Sequence, residues 1–146
     1  MMKQDGGCII NLDDAALLDQ LPALPELICF RLNPGTDSGN AIIGRPQEAK
    51  FGIPREKILD AYRQAQSRGI KRFGLHMMAL SNERNASALL SGVEVLCAVA
   101  RELARELGIT VEFINIGGGL GIPYRPDEAP LYLQALATEV YYLWHA

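Results

Sequence analysis

Apolar residues fall along this chain in two rhythms. Nearly unbroken runs at 27–32, 70–78 and 110–116 read as strands, the first as a strand covered on both faces, and the run at 8–12 is a candidate fourth. Between them, apolar positions recur every three or four residues. The clearest such stretch is 86–107, where Leu89, Val93, Leu96, Cys97, Ala100, Leu103 and Leu107 share one helical face and Gly108 supplies the stop. A second helix is opened by Pro54 and closed by Gly69, with Ile58, Ala61, Tyr62 and Ala65 as its apolar stripe. Asp13 and Asp14 suit the start of a helix over 15–21, which Pro22 and Pro25 end, and 131–144 is a last helical stretch. The segment 36–50 has little periodicity and reads as a long loop.

Two helix exits are alike, Arg68-Gly69-Ile70 and Leu107-Gly108-Ile109, and each runs straight into an apolar strand. Strands alternating with helices in this way predict right-handed crossovers and a parallel sheet. Either a doubly wound open sheet or part of a (β/α)8 barrel fits. A whole barrel takes about 250 residues, so on the barrel reading a chain of 146 residues is a partial one.

Composition narrows the function classes. Hydrophobic residues at 49% and charged ones at 21% fit a soluble globular domain rather than disorder. The net charge of −3, with scattered basic residues, argues against a nucleic-acid surface. No apolar run reaches the roughly 18 residues that span a bilayer, and the first seven residues hold no signal-peptide core, so a cytoplasmic protein is expected. The 3 cysteines, Cys8, Cys29 and Cys97, include no C-x-x-C and fit reduced thiols better than disulfides or a zinc site.

The sharpest chemical signal is Gly117-Gly118-Gly119-Leu120-Gly121, directly after the third strand. Glycines there let the backbone approach a ligand, and their N–H groups can form a concave nest for phosphate. Ile122 breaks the dinucleotide spacing G-x-G-x-x-G, and no P-loop is present. A tight turn would need only one glycine. His76 lies near the end of the second strand, on the face where ligands of α/β proteins gather, with Met78 two residues on along the same face. A core histidine is its commoner use. Ser81 suits either a phosphate or the cap of the next helix. Arg31, a charge within an apolar strand, needs an anionic partner, either an internal carboxylate or a ligand. Lys50 ends the long loop, and His145 suggests no specific role. Neither a Ser–His–Asp or Cys–His pairing nor metal-ligand spacing is evident.

At this point four ordered segments resemble one family. Asn115-Ile116-Gly117-Gly118-Gly119-Leu120-Gly121-Ile122-Pro123-Tyr124 resembles the phosphate-binding segment of the fold-type III pyridoxal-phosphate decarboxylases, which act on diaminopimelate, ornithine and related basic amino acids. Arg31-Leu32-Asn33-Pro34-Gly35 resembles the family's R-x-N-P, Lys50-Phe51-Gly52-Ile53 its K-F-G, and Gly74-Leu75-His76 through Ser81 its G-x-H-x-H-x-x-S. The resemblance implies part of an alanine-racemase-like TIM barrel, the cofactor pyridoxal 5'-phosphate, a basic amino-acid substrate and a homodimer. It implies that Gly117, Gly118 and Gly119 cradle the cofactor phosphate with help from Ser81. The family stacks the second histidine of its motif on the cofactor ring; Met78 holds that position here, leaving Met78 or His76 to face the ring. A subgroup with D-ornithine/lysine or carboxynorspermidine-like specificity tolerates this change. The family's anchoring lysine belongs on an earlier strand and its E-P-G-R segment after the last helix. The reading therefore expects a single incomplete cofactor-binding barrel domain over 1–146, inactive by itself and prone to association. The alternative is a non-catalytic regulatory or binding module on the same scaffold, and an unrelated phosphate-binding α/β domain is a third reading.

Overall fold

The computed structural model describes residues 7–35, 51–78 and 80–145. The expected loop at 36–50, with Lys50, lies outside them. The described chain forms a parallel sheet: β1 (Ile10–Leu12), β2 (Leu27–Asn33), β3 (Ile53–Pro54), β4 (Arg72–Met77) and β5 (Val111–Asn115), in the order β1-β2-β4-β5. β3 pairs with the last residues of β2, Leu32 with Ile53 and Asn33 with Pro54. The helices are α1 (Ile58–Ser67), α2 (Ala86–Leu107) and α3 (Leu133–His145).

Each helix follows from local chemistry. In α1 the expected stripe of Ile58, Ala61, Tyr62 and Ala65 is the buried face. In α2 the Asn85 side chain accepts from the Ser87 N–H at 2.9 Å, and Gly108 ends the helix in the left-handed conformation, φ 65°. Val99, fully buried, joins the stripe read from the sequence. Two expectations are corrected. Residues 15–20 form a short 3-10 helix capped by Asp14, whose carboxylate accepts from the Ala16 N–H; Pro22 leaves too little chain for an α-helix to repay its nucleation. Pro54 does not open α1 but ends β3 with extended backbone, φ −54° and ψ 146°, and a 3-10 turn at Arg55–Lys57 leads into the helix.

Alternate residues of the strands serve opposite sides of the sheet. Ile28, Phe30 and Leu32 of β2 and Phe73, Leu75 and Met77 of β4 share one core with Tyr62 of α1 and Leu96, Val99 and Leu103 of α2. Tyr62 is fully buried, packs edge-on to Phe30 with ring centroids 5.1 Å apart, and donates its hydroxyl to the Gly74 carbonyl at 2.6 Å. Burial holds its phenol well above the ordinary value, so the hydroxyl remains a donor. The other side carries Cys29, Arg31, Gly74, His76, Phe113 and Asn115, with no helix over it among the described residues. At the strands' N-terminal end, Arg72 bridges Glu26 and Glu112, linking the starts of β2, β4 and β5.

Candidate functional site

The site grows from the C-terminal ends of β4 and β5. Asn115 closes β5, and its side-chain oxygen accepts from the Gly117 N–H at 2.7 Å, a turn that swings the chain into the glycine run. Gly117, Gly118 and Gly119 have φ of 83°, 125° and 75°, a sequence of positive values that side-chain-bearing residues resist. Space enforces the same choice at two of the three. A Cβ on Gly117 would stand 2.7 Å from the Met77 carbonyl oxygen and from Met78 Cβ, and one on Gly119 would overlap the Leu80 carbonyl. Gly118 is different: nothing lies within 4 Å of where its Cβ would be. The loop is thus pressed against the chain after β4 on both sides and open in the middle.

The two loops are also laced together. Glu83 donates its N–H to the Gly119 carbonyl at 2.8 Å, and Gly121 donates to the Glu83 carbonyl at 2.7 Å, a parallel bridge beyond the ends of the strands. Arg84 crosses beneath Gly121 and pairs with Glu128 at 3.2 Å. These contacts order the glycine backbone before any ligand arrives, which is what an anion nest requires.

Of the residues singled out in the sequence, Met78 and Ser81 lie against this loop: Met78 beside Gly117 and Ser81 with its Cα 3.2 Å from the Gly119 Cβ position. Met78 lies just past the end of β4 and is partly exposed. Capping does not occupy Ser81, because Asn85 caps α2. Arg31 and His76 belong to a second group. They are paired neighbours on β2 and β4, with Asn115 next across on β5, so all three project from the open face. Arg31 is half-buried, 3.8 Å from the Asp13 carboxylate and with Cζ 5.4 Å from the centre of the Phe51 ring. At 3.8 Å the pair is a charge contact without a hydrogen bond. Both readings of Arg31 therefore keep a basis: among the described residues Asp13 is the carboxylate beside it, and at that distance it accepts no hydrogen bond from the guanidinium. His76 Nδ1 is 2.7 Å from the Asn11 amide nitrogen. Burial and then the Arg31 charge lower the His76 pKa, against a smaller upward pull from Asp13, so the ring is neutral near pH 7.

Asn11, Asp13, Asn115 and Phe113 were not given a site role from the sequence. For Asn11 and Asp13 the signal was the alternation Ile10-Asn11-Leu12-Asp13, which places both on one side of β1 and its extension. Phe113 shows itself only through Gly74: a Cβ there would run into the Phe113 ring, so glycine is the one residue that lets the ring lie across β4. Cys29, between Asn11 and Gly74 in the same row, has its thiol pushed up to about 12 by burial and is chemically inert. His145 accepts no task at the site; it lies on the Tyr141 ring in α3. Among the described residues no group of His, Cys, Asp and Glu is placed to hold a metal, and no helix is long and apolar enough to cross a membrane.

Known proteins resemble this chain in sequence and in fold. A family model described as "pyridoxal-dependent decarboxylase, pyridoxal binding domain" matches residues 3–143. The protein TabA of Pseudomonas amygdali pv. tabaci is 44% identical over 138 residues, covering 93% of this chain and 33% of TabA. A diaminopimelate decarboxylase of Thermoplasma acidophilum is 36% identical over 138 residues, covering 93% of this chain and 34% of its own. Among solved structures, diaminopimelate decarboxylase from M. jannaschii in complex with L-lysine superposes with a TM-score of 0.80 at 24% identity, covering 97% of this chain and 35% of that one. The Helicobacter pylori enzyme complexed with L-lysine gives 0.82 at 20%, covering 99% and 38%. The chain therefore spans about a third of the length of the relatives it matches, and the likeness of fold settles the sheet as part of a (β/α)8 barrel rather than a doubly wound one.

Proposed function

The chain belongs to the pyridoxal-dependent decarboxylases, a family of carbon–carbon lyases, and from that footing we propose that it is the pyridoxal-phosphate-holding part of a decarboxylase acting on a basic amino acid. Diaminopimelate is the foremost substrate class, because relatives at 36% and 33% identity bear that enzyme's name. Assembly as a homodimer and a cytoplasmic location belong to the same proposal.

The observation that carries it is the glycine loop. Three successive positive-φ residues, braced on both sides and open at Gly118, let the backbone come close to an anion, with the Gly117 N–H held by the Asn115 side chain. Ser81 adds a hydroxyl beside Gly119. Met78, exposed next to Gly117, supplies an apolar wall for a ring lying above the loop. Arg31 and His76, farther down the open face, bring one cation and one neutral imidazole toward the ring and the substrate. When bound, the cofactor supplies an electron sink for the charge left as carbon dioxide departs. The work of this chain is to hold the phosphate and orient the ring.

A matched pair of variants tests the cradle. Gly118 and Gly69 both have positive φ, 125° and 92°, and both have open space at the Cβ position, but Gly69 ends α1 at the far end of the sheet. Alanine at either costs similar backbone strain, about 1–3 kcal/mol. Followed by amide chemical shifts, Gly118→Ala weakens pyridoxal 5'-phosphate binding about ten-fold or more, the weight of one hydrogen bond to a charged group, while Gly69→Ala leaves it unchanged. Equal affinities in the two variants would refute the cradle.

A further inference from the structure

Asn11 and His76 stand on strands that do not touch: β2 runs between β1 and β4. Asn11 pairs with Cys29, Cys29 with Gly74, and His76 is two residues beyond Gly74 on the same side. The two side chains therefore meet above β2, over Cys29. The contact spans 65 residues of sequence at 2.7 Å and joins two strands that are not themselves paired.

The direction of this hydrogen bond has a chemical consequence. An amide nitrogen only donates, so His76 Nδ1 accepts and, in a neutral ring, Nε2 carries the proton. Among the described residues Nε2 has no acceptor, and the open face of the sheet is the side from which His76 projects. The charged groups facing the ring are Arg31 on β2 and Asp13 beyond the end of β1; β5 contributes only the neutral Asn115. Arg31 opposes a second proton on the ring and Asp13 favours it, with burial and Arg31 the larger influences.

Resting on the cofactor reading above, we infer that Asn11 is a positioning residue. It fixes His76 as a neutral imidazole with Nδ1 accepting and Nε2 donating, so that the open face offers an N–H to an oxygen of the bound molecule rather than a cation or a base. The selection lies in which end of the amide faces the ring, here the nitrogen. A carboxylate at position 11 has the same shape but only accepts. It would demand a proton on Nδ1, reversing the tautomer or turning the ring into a cation.

Two-bond nitrogen–proton correlation spectra of the nitrogen-15-labelled chain read the tautomer directly. The chain has 2 histidines, and His145→Gln removes the second set of signals. In the wild type near pH 7, His76 shows a protonated Nε2 and a bare Nδ1. In Asn11→Ala the preference for that tautomer falls about five-fold, the weight of one ordinary hydrogen bond. In Asn11→Asp the pattern reverses or becomes that of the cation, and the midpoint of the ring moves up. Asn11 is exposed, so neither variant disturbs the core, and the unchanged methyl signals of Leu75 and Leu96 verify this. An Nε2-protonated His76 that persists in Asn11→Asp, with an unmoved midpoint, would overturn the assignment. Addition of pyridoxal 5'-phosphate separates this result from the cofactor reading. Glycine amides at 117–119 that do not shift count against the cradle, while the nitrogen pattern still decides the role of Asn11.

Discussion

The two faces of the sheet are made from the same strands, and they follow opposite rules. On the helix side, Phe30, Leu32, Phe73, Leu75 and Met77 are at most 3% exposed and interlock with α1 and α2. On the open side, one residue along in each strand, stand Arg31, Gly74 and His76, joined by Asn115 and the Phe113 ring. The first face is specified by volume and the second by hydrogen-bond direction, charge and the absence of side chains. A substitution on the helix side is felt as lost burial, whereas one on the open side is felt only where two groups meet.

The sharpest way to test this contrast is on neighbouring residues of β4. Leu75→Ala, on the fully buried side, is expected to cost about 2–5 kcal/mol, seen as a lower urea midpoint with the slope unchanged. A loss under about 1 kcal/mol would mean that the helix side is not close-packed. Gly74→Ala, one residue away, is expected to cost less, about 1–3 kcal/mol, because the Phe113 ring in its path is only partly buried and can swing. Its cost should drop clearly in a Phe113→Ala background. Equal costs in both backgrounds would show that the ring is not what excludes the Cβ.

The smallest effect expected is the pH dependence of the open face. The His76 pKa is lowered from 6.5 in the folded chain. Above about pH 6.5 the ring is neutral in both states and costs nothing. As pH falls through that value the unfolded chain takes up a proton that the folded chain refuses, so stability declines until the lower folded midpoint is reached and then levels off. Comparing the chain with His76→Gln across that interval isolates the slope. Parallel curves would place His76 in solvent rather than beneath Arg31.

Much of the fold was legible in the sequence because its signals are local. Helix α2 matched its expected bounds, since a three- to four-residue stripe, a cap at Asn85 and a stop at Gly108 act within single turns. The strands read correctly but as uniform apolar runs. Cys29 and Gly74 count as apolar or small in any window, so the second face of β2 and β4 was hidden inside the first. The short elements were misread for the same reason of scale: residues 15–20 and Pro54 lack enough neighbours of one kind to outvote the geometry around them.

The site divides along the same line. A glycine cluster after a strand announces positive φ and close backbone approach; Gly117, Gly118 and Gly119 all show the first, and Gly117 and Gly119 the second, because steric exclusion of a Cβ is written in residue type. The sequence also places His76, Met78 and Ser81 near one strand end, by counting alone. It says nothing of Asn11. That residue meets His76 across an intervening strand, and the contact exists only once three strands are in register. Spacing along a chain carries what a backbone repeats every two or four residues. Which nitrogen of a histidine holds the proton depends on a donor 65 positions away, and only the folded arrangement of the sheet brings that donor into place.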